Sequence, residues 1–307
     1  MPILKLRKQL SIKDQRDELV AQGNDLIRHA RFQLTALEQN IIYFCLSKIK
    51  PSDTDFMRQS FTVSEFCEVC GLNFENPHGK DYSRIKSAIK SISDKSAWVE
   101  YSDGAEELVR WFDTYRIDHK SGTITATLSQ SIKPYLIGLI QRAKAGGEGY
   151  TQSHLYNYLA MRSQYSKRLY EILKSYLYSS GGREKLYRLT FKEYELEELK
   201  ILLNASNYVR YPDFRRKVLE PATYEIELVT DITISFSLIK SGRKITGVRF
   251  DFQHKSDSKR LEAEAIAKKV LDSPKRLSKQ KNPSSLKINE NQEQIHPTGE
   301  HLIFGND

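Results

Sequence analysis

The chain has 307 residues, 39% hydrophobic and 28% charged, enough for two domains with cores of their own. Its net charge of +9 favours an anionic partner, nucleic acid or an acidic membrane surface. No apolar run reaches about 18 residues and the charged N-terminus does not suit a signal peptide, so a cytoplasmic protein is expected.

Residues 1–23, with Lys5, Arg7, Lys8 and Lys13 among short apolar runs, read as a loosely ordered basic arm. Asn24 can cap a short helix, and Leu37, Ile41, Phe44, Cys45 and Ile49 share one face of a stronger one. Thr62 and Glu65 have the spacing of a capping box that opens a helix to Gly71. Cys67 and Cys70, with His78, outline part of a zinc site. A fourth ligand is missing and both thiols share the apolar face of Val63 and Phe66, so they read as core thiols. Asp81 caps a helix that buries Ile85, Ile89 and Ile92 and projects Lys80, Ser83, Ser87 and Lys90 from the other side. Ala97–Tyr101, Leu108–Ile117 and Thr123–Leu128 read as strands, the last two joined by the basic turn His119–Gly122, and Pro134–Ile140 closes the unit as a helical segment.

Residues 143–150, with Gly146, Gly147 and Gly149, form the best linker, able to span at most about 26 Å. Beyond it the pattern restarts. Tyr165, Leu169, Ile172, Leu173 and Tyr176 make a helix face, and Thr190 with Glu193 reads as a second capping box opening a helix to about Leu203. In Tyr211–Leu219, Pro212 sits outside a helix capped by Asp213, whose buried face is Phe214, Val218, Ala222, Ile226 and Val229. Arg215, Arg216 and Lys217 then crowd its first turn, where the helix dipole favours acids; an external polyanion resolves that conflict. Pro221 predicts a kink near Lys217. Ile232, Ile234, Phe236 and Leu238 alternate, Ser241–Lys244 turn, and Val248, Phe250 and Phe252 alternate again. Helix, strand, basic turn, strand is the order of a winged helix-turn-helix.

The two halves match by offset. At 128 (190 − 62) the two boxes coincide and Leu37 falls on Tyr165; at 132 (213 − 81) Asp81 falls on Asp213; at 120 Lys120-Ser121-Gly122 falls on Lys240-Ser241-Gly242. The expected fold is therefore α+β: two tandem winged-helix domains related by duplication, at 24–142 and 151–254, joined by the 143–150 linker. Residues 255–307, rich in Ser, Lys, Asn, Gln and Pro, read as a flexible tail in which Ser258–Leu271 forms an isolated helix.

Nothing in the chain asks for catalysis, a cofactor or a metal. It lacks the Gly-Lys-Ser/Thr ending of a phosphate-binding loop, its seven histidines lie far apart, and the cluster Glu193, Glu195, Glu197, Glu198 reads as a solvated helix face. The candidate DNA contacts are Ser83, Arg84, Lys86, Ser87 and Lys90 on the first recognition helix, and Arg215, Arg216, Lys217, Thr223 and Tyr224 on the second. Lys120, Arg243 and Lys244 are candidates on the wings. Arginine reads guanine bidentately whereas lysine and serine more often anchor phosphate, so the second helix is the better candidate for specificity.

At these residues the chain resembles the iteron-binding replication initiators of theta-replicating plasmids. The similarity runs from Asn24-Asp25-Leu26-Ile27 through Leu34–Gln39 to Phe252 and is sharpest at Tyr211–Ala222 with Glu225-Ile226. The resemblance implies a C-terminal domain that grips direct repeats at the origin and an N-terminal domain for DNA contact and dimerisation. It further implies monomers that bind repeats and help open double-stranded DNA, dimers that repress their own gene at an operator, and recruitment of the host replication initiator and helicase machinery. A winged-helix transcriptional regulator, a tyrosine nickase and a protein-interaction adaptor are the competing expectations.

Overall fold

The computed structural model describes residues 10–53, 58–73, 80–101, 103–177 and 190–273. Lys5, Arg7, Lys8, His78 and the tail beyond Ser273 lie outside the described residues, as do the side chains of Lys80 and Asp81.

Residues 10–23 do not form a loose arm. Ser11 and Asp14 close a reciprocal capping box on α1 (Ile12–Asp17), and β1 (Leu19–Gly23) follows. Then come α2 (Asn24–His29), β2 (Ala30–Arg31) and α3 (Ala36–Leu46), which is opened by a box between Thr35 and Glu38. β3 (Gln59–Thr62) leads into α4 (Val63–Val69), where the expected Thr62–Glu65 box is present, and Cys67 and Cys70 are buried beneath it. α5 (Lys80–Ser93) begins before Asp81, which lies inside the helix instead of capping it.

The segment expected as one strand, Leu108–Ile117, is two. Trp111 is buried with Phe32 edge-on at 5.6 Å, and its carbonyl accepts from the Ser129 amide. On one side of that anchor β5 (Glu106–Arg110) pairs with β4 (Ser96–Glu100); on the other β6 (Phe112–Asp118) pairs with β7 (Thr123–Leu128). A 3-10 turn (Gln130–Tyr135) and α6 (Leu139–Lys144) close the half.

The second half runs β8 (Tyr150–His154), α7 (Leu155–Ala160), α8 (Gln164–Leu177), β9 (Phe191–Glu195) and α9 (Leu196–Leu202). Next are α10 (Tyr211–Phe214), a π-turn (Arg215–Leu219), α11 (Glu220–Val229), β10 (Ile232–Ser241), β11 (Lys244–His254) and α12 (Asp257–Leu271). The second capping box is not formed. Tyr194 is buried edge-on to Phe250 while Glu193 and Glu195 face out, a period of two that makes 191–195 a strand on β11. Glu193 and Glu195 thus sit on a strand, with Glu193 3.5 Å from Arg249. The offset of the second helices is 133 (196 − 63), five more than that of α3 and α8 (164 − 36 = 128); three of the five come from α8, which has 14 residues where α3 has 11.

Each half nonetheless builds the same three-stranded sheet, β3–β7–β6 and β9–β11–β10, with the strand before the second helix pairing the returning wing strand. The fold is two tandem winged-helix domains, the first carrying an additional sheet, β2–β4–β5. Among the described residues no helix is long and apolar enough to cross a membrane.

The halves meet across a pseudo-dyad. β1 pairs antiparallel with β8 about Ala21 and Gln152, and each strand leads into an equivalent six-residue helix at an offset of 131 (155 − 24). The flanking bonds obey the same axis: Leu155 N donates to Glu18 O (2.8 Å) and Asn24 N to Gly149 O (3.0 Å). The expected linker is therefore a compact turn, with Gly147 N bonded to Arg142 O and the chain entering β8 at once. Beside the axis Gln22 donates to Glu171 (2.5 Å), Arg168 to Ala30 O (2.8 Å), and Tyr43 stacks on Tyr158.

α12 corrects the flexible-tail expectation as far as Leu271. It buries Ala263, Ala267 and Leu271, and its C-terminal end reaches the first domain. Arg16, buried under it, donates to Val69 O and Glu68 O (both 2.8 Å) and to Leu271 O (3.2 Å), and pairs with Asp272 at 2.6 Å. Gly71, at φ +62°, passes so close to Leu271 that an added methyl group would collide with its backbone.

Buried Lys167 on α8 donates to Tyr158 O and faces Glu225, the Cys70 thiol and Glu171. Burial lowers its pKa from the ordinary 10.5 to about 8. Between those values the unfolded chain holds a proton that the folded chain lacks, so stability rises with pH from about 8 towards 10. Higher still, Tyr43, Tyr158 and Tyr170, whose hydroxyls burial pushes well above their ordinary value, reverse the trend. Urea unfolding across that window should give a rising midpoint for the native chain and a shallower rise for Lys167→Met, the remainder coming from Lys174 and Lys255, whose pKa burial also lowers; parallel profiles would contradict the assignment.

Candidate nucleic-acid interface

In the first domain α5 buries Ile85, Ala88, Ile89 and Ile92 against the sheet. Ser83, Lys86, Ser87 and Lys90 are exposed on its outer side and Arg84 is half-buried. Lys90 is engaged by Asp94 at 2.8 Å. The Tyr82 hydroxyl meets His119 Nδ1 at 3.0 Å, tying the helix to the wing turn that carries exposed Lys120. In that turn the Lys120 amide and the Ser121 hydroxyl donate to Asp118, whose carboxyl they hold below the usual range. Helix face and wing tip therefore present their cations as one surface.

In the second domain Arg210, not Asp213, is the N-cap of α10, and Pro212 lies inside the first turn. Asp213 accepts from Arg210 (2.7 Å) and lies 3.1 Å from Arg216; the Arg210 bond and both positive charges depress its carboxyl. Arg215, Arg216 and Lys217 fall in the π-turn, one turn later than expected. Arg215 has Glu220 at 2.8 Å, and Lys217 lies 5.7 Å from the Tyr208 ring centroid. The conflict with the helix dipole is thus met largely from within by Asp213 and Glu220. The side chains of Arg215 and Arg216 remain 51% and 71% exposed.

Tyr224 stands exposed on the following turns, on the same outward side. Thr223 is different: its hydroxyl is spent on Leu219 O (2.8 Å) and the side chain is half-buried, so it presents no polar reader. Arg243 and Lys244 are exposed at the tip of the second wing, which turns at Gly242 with φ +61°. Arg210, whose side chain is 80% exposed, escaped the sequence expectations; its signal was its place just ahead of Tyr211-Pro212.

Two cationic helix-and-wing surfaces result, one per half. They can hold phosphates and present arginine to base edges.

Residues 19–174 match the family described as "Initiator Replication protein, WH1", and residues 195–252 the one described as "Initiator Rep protein, WH2". The "PI protein" of Escherichia coli is 28% identical over 138 residues, 43% of this chain and 44% of that protein. An Escherichia coli "Replication initiation protein" is 22% identical over 228 residues, 71% of this chain and 65% of that one. The match thus spans less than two thirds of either relative's length. The crystal structure of Pi initiator protein in complex with iteron DNA shares the fold, with a TM-score of 0.59 at 18% identity, covering 79% of this chain and 99% of that one.

Proposed function

Because the chain belongs to the family of initiator replication proteins with two winged-helix domains, we propose that it starts plasmid replication in the cytoplasm by binding direct repeats in origin DNA. The observation that carries this reading is the recurrence of an exposed cationic helix-and-wing surface in both halves, with Arg215 and Arg216 the strongest base readers. α5 and the α10–α11 helix enter successive major grooves, giving a footprint of about 20 base pairs. The pseudo-dyad reverses one helix relative to the other, so each repeat contains two unlike half-sites in opposite sense. Several molecules loaded side by side then strain the neighbouring duplex and assist its opening, and the host initiator and helicase are recruited to the opened region. The mechanism is physical and uses no catalytic group.

Self-association belongs to the same proposal. Trp98 and Leu108 face each other across β4 and β5 and are 48% and 45% exposed, an apolar pair suited to a second copy of the chain. Dimers formed there repress the chain's own gene.

DNase I footprinting on the DNA flanking the gene, at rising protein concentration and with permanganate probing of supercoiled template, tests the reading. Regularly spaced direct repeats with permanganate-reactive thymines beside them are expected, and an inverted repeat protected only where sedimentation detects dimers. With about 6 to 10 phosphates contacted, affinity should fall about 10³- to 10⁵-fold between about 50 and 200 mM salt. Protection of a lone inverted repeat would point to a transcriptional regulator, covalent protein–DNA adducts to a nickase, and no footprint at low salt to an adaptor.

A further inference from the structure

The recognition helix of the second domain is not a regular α-helix, and its irregularity decides where the arginines point. At about 100° per residue, an unbroken α-helix would put Arg215, seven residues before Ala222, within about 20° of that buried residue. Phe214 would lie about 80° round the helix from it. The reverse is found: Phe214, Val218, Leu219, Ala222 and Ile226 are all fully buried, and Arg215 is turned out. The π-turn at Arg215–Leu219, in which Glu220 N bonds to Arg215 O, takes up one extra residue and restores a single apolar face. The ion pair between Arg215 and Glu220 records the same shift. Residues five apart lie about 140° from each other on an α-helix, yet here their side chains are 2.8 Å apart.

Pro221 stands two residues after this turn, and in an α-helix its missing N–H and its ring would confront the carbonyl of Lys217. We infer that Pro221 is a positioning residue: by excluding the regular helix it fixes the π-turn, which keeps Phe214 in the core and turns Arg215 towards DNA. This rests on the proposed base-reading role of Arg215 and Arg216. A proline inside a helix is costly, so the device trades stability for a preset reader.

Pro221→Ala restores the amide and makes the regular helix accessible. The probe is the duplex that the wild-type chain enriches from a random-sequence pool, set against an unrelated duplex of equal length. The expected result has opposite signs in two readouts. The melting temperature rises, while affinity for the selected duplex falls about tenfold or more, the scale of one bidentate contact, with affinity for unrelated DNA unchanged. A double-mutant cycle of Arg215→Ala and Glu220→Gln, both at exposed positions, gives a second measurement: coupling in specific binding is expected in the wild-type background and its loss in Pro221→Ala. Unchanged specific affinity in Pro221→Ala, a lowered melting temperature, or coupling that survives the substitution would each overturn the inference. A wild-type chain that enriches no sequence would instead overturn the base-reading role, and the inference with it.

Discussion

Replacing Arg215 and Arg216 together with alanine should abolish sequence preference while leaving the fold intact. Both side chains are more than half exposed, Glu220 is 46% exposed, and Asp213 keeps Arg210 when Arg216 is removed, so the ion pairs lost contribute little to stability. Each arginine–guanine contact contributes about 1 to 3 kcal/mol of discrimination, so the pair accounts for about 2 to 6 kcal/mol, a loss of about 30- to 10⁴-fold on the specific site. Unrelated duplex should lose much less, with the salt slope nearly unchanged, because contacts to base edges release no phosphate counterions. Lys120→Ala, or Arg243→Ala with Lys244→Ala, should weaken both kinds of site alike. Equal losses on specific and unrelated DNA from the double arginine substitution would reassign the pair to phosphate contact.

The largest effect on stability is expected at Arg16. Its guanidinium satisfies the carbonyls of Glu68, Val69 and Leu271 and the carboxylate of Asp272, joining the end of α4 to the end of α12. Arg16→Ala leaves the carbonyls of Val69 and Leu271 without that donor, while Glu68 O keeps the Gly71 amide and Asp272 is 54% exposed, at a cost of about 2 to 4 kcal/mol. Urea unfolding should show this as a lower midpoint, and limited proteolysis as new cleavage ahead of α12. The pair of Lys268 with Asp17, 2.7 Å apart in the native chain, does not involve Arg16, so the helix should loosen without departing wholly. A loss under about 1 kcal/mol would mean that α12 is held by its apolar face alone.

Much of the helix-and-wing architecture was legible in the sequence because its signals are local. The Thr62–Glu65 box, the isoleucine stripe of α5 and the alternation of β10 and β11 each follow from spacing within one element. Failures came where a distant partner overrode the local pattern. Thr190 and Glu193 have the spacing of a box, but β11 offers an open edge and Tyr194 a ring to bury, and the segment becomes a strand. Leu19–Gly23 carries no strand signature strong enough to stand against the basic stretch before it; its partner lies 131 residues away. Trp111 cuts an apparently continuous strand because its ring is buried, which spacing cannot reveal. At Pro221 the chemistry was legible but its outcome was not, since a missing donor fits either a kink or a widened turn. Only the joint burial of Phe214 and Ala222 decides between them.

The dyad between β1 and β8 relates halves that are alike but unequal, because only the first carries the β2–β4–β5 sheet. A body of that kind has a head and a tail. On a single repeat the backbone of DNA would accept it either way round, and the unlike readers of its two halves decide the direction. A row of direct repeats, bound as proposed, would impose one polarity on every copy. Neighbours along such a row would meet head to tail, through two different surfaces, and such a contact would continue until the repeats stop.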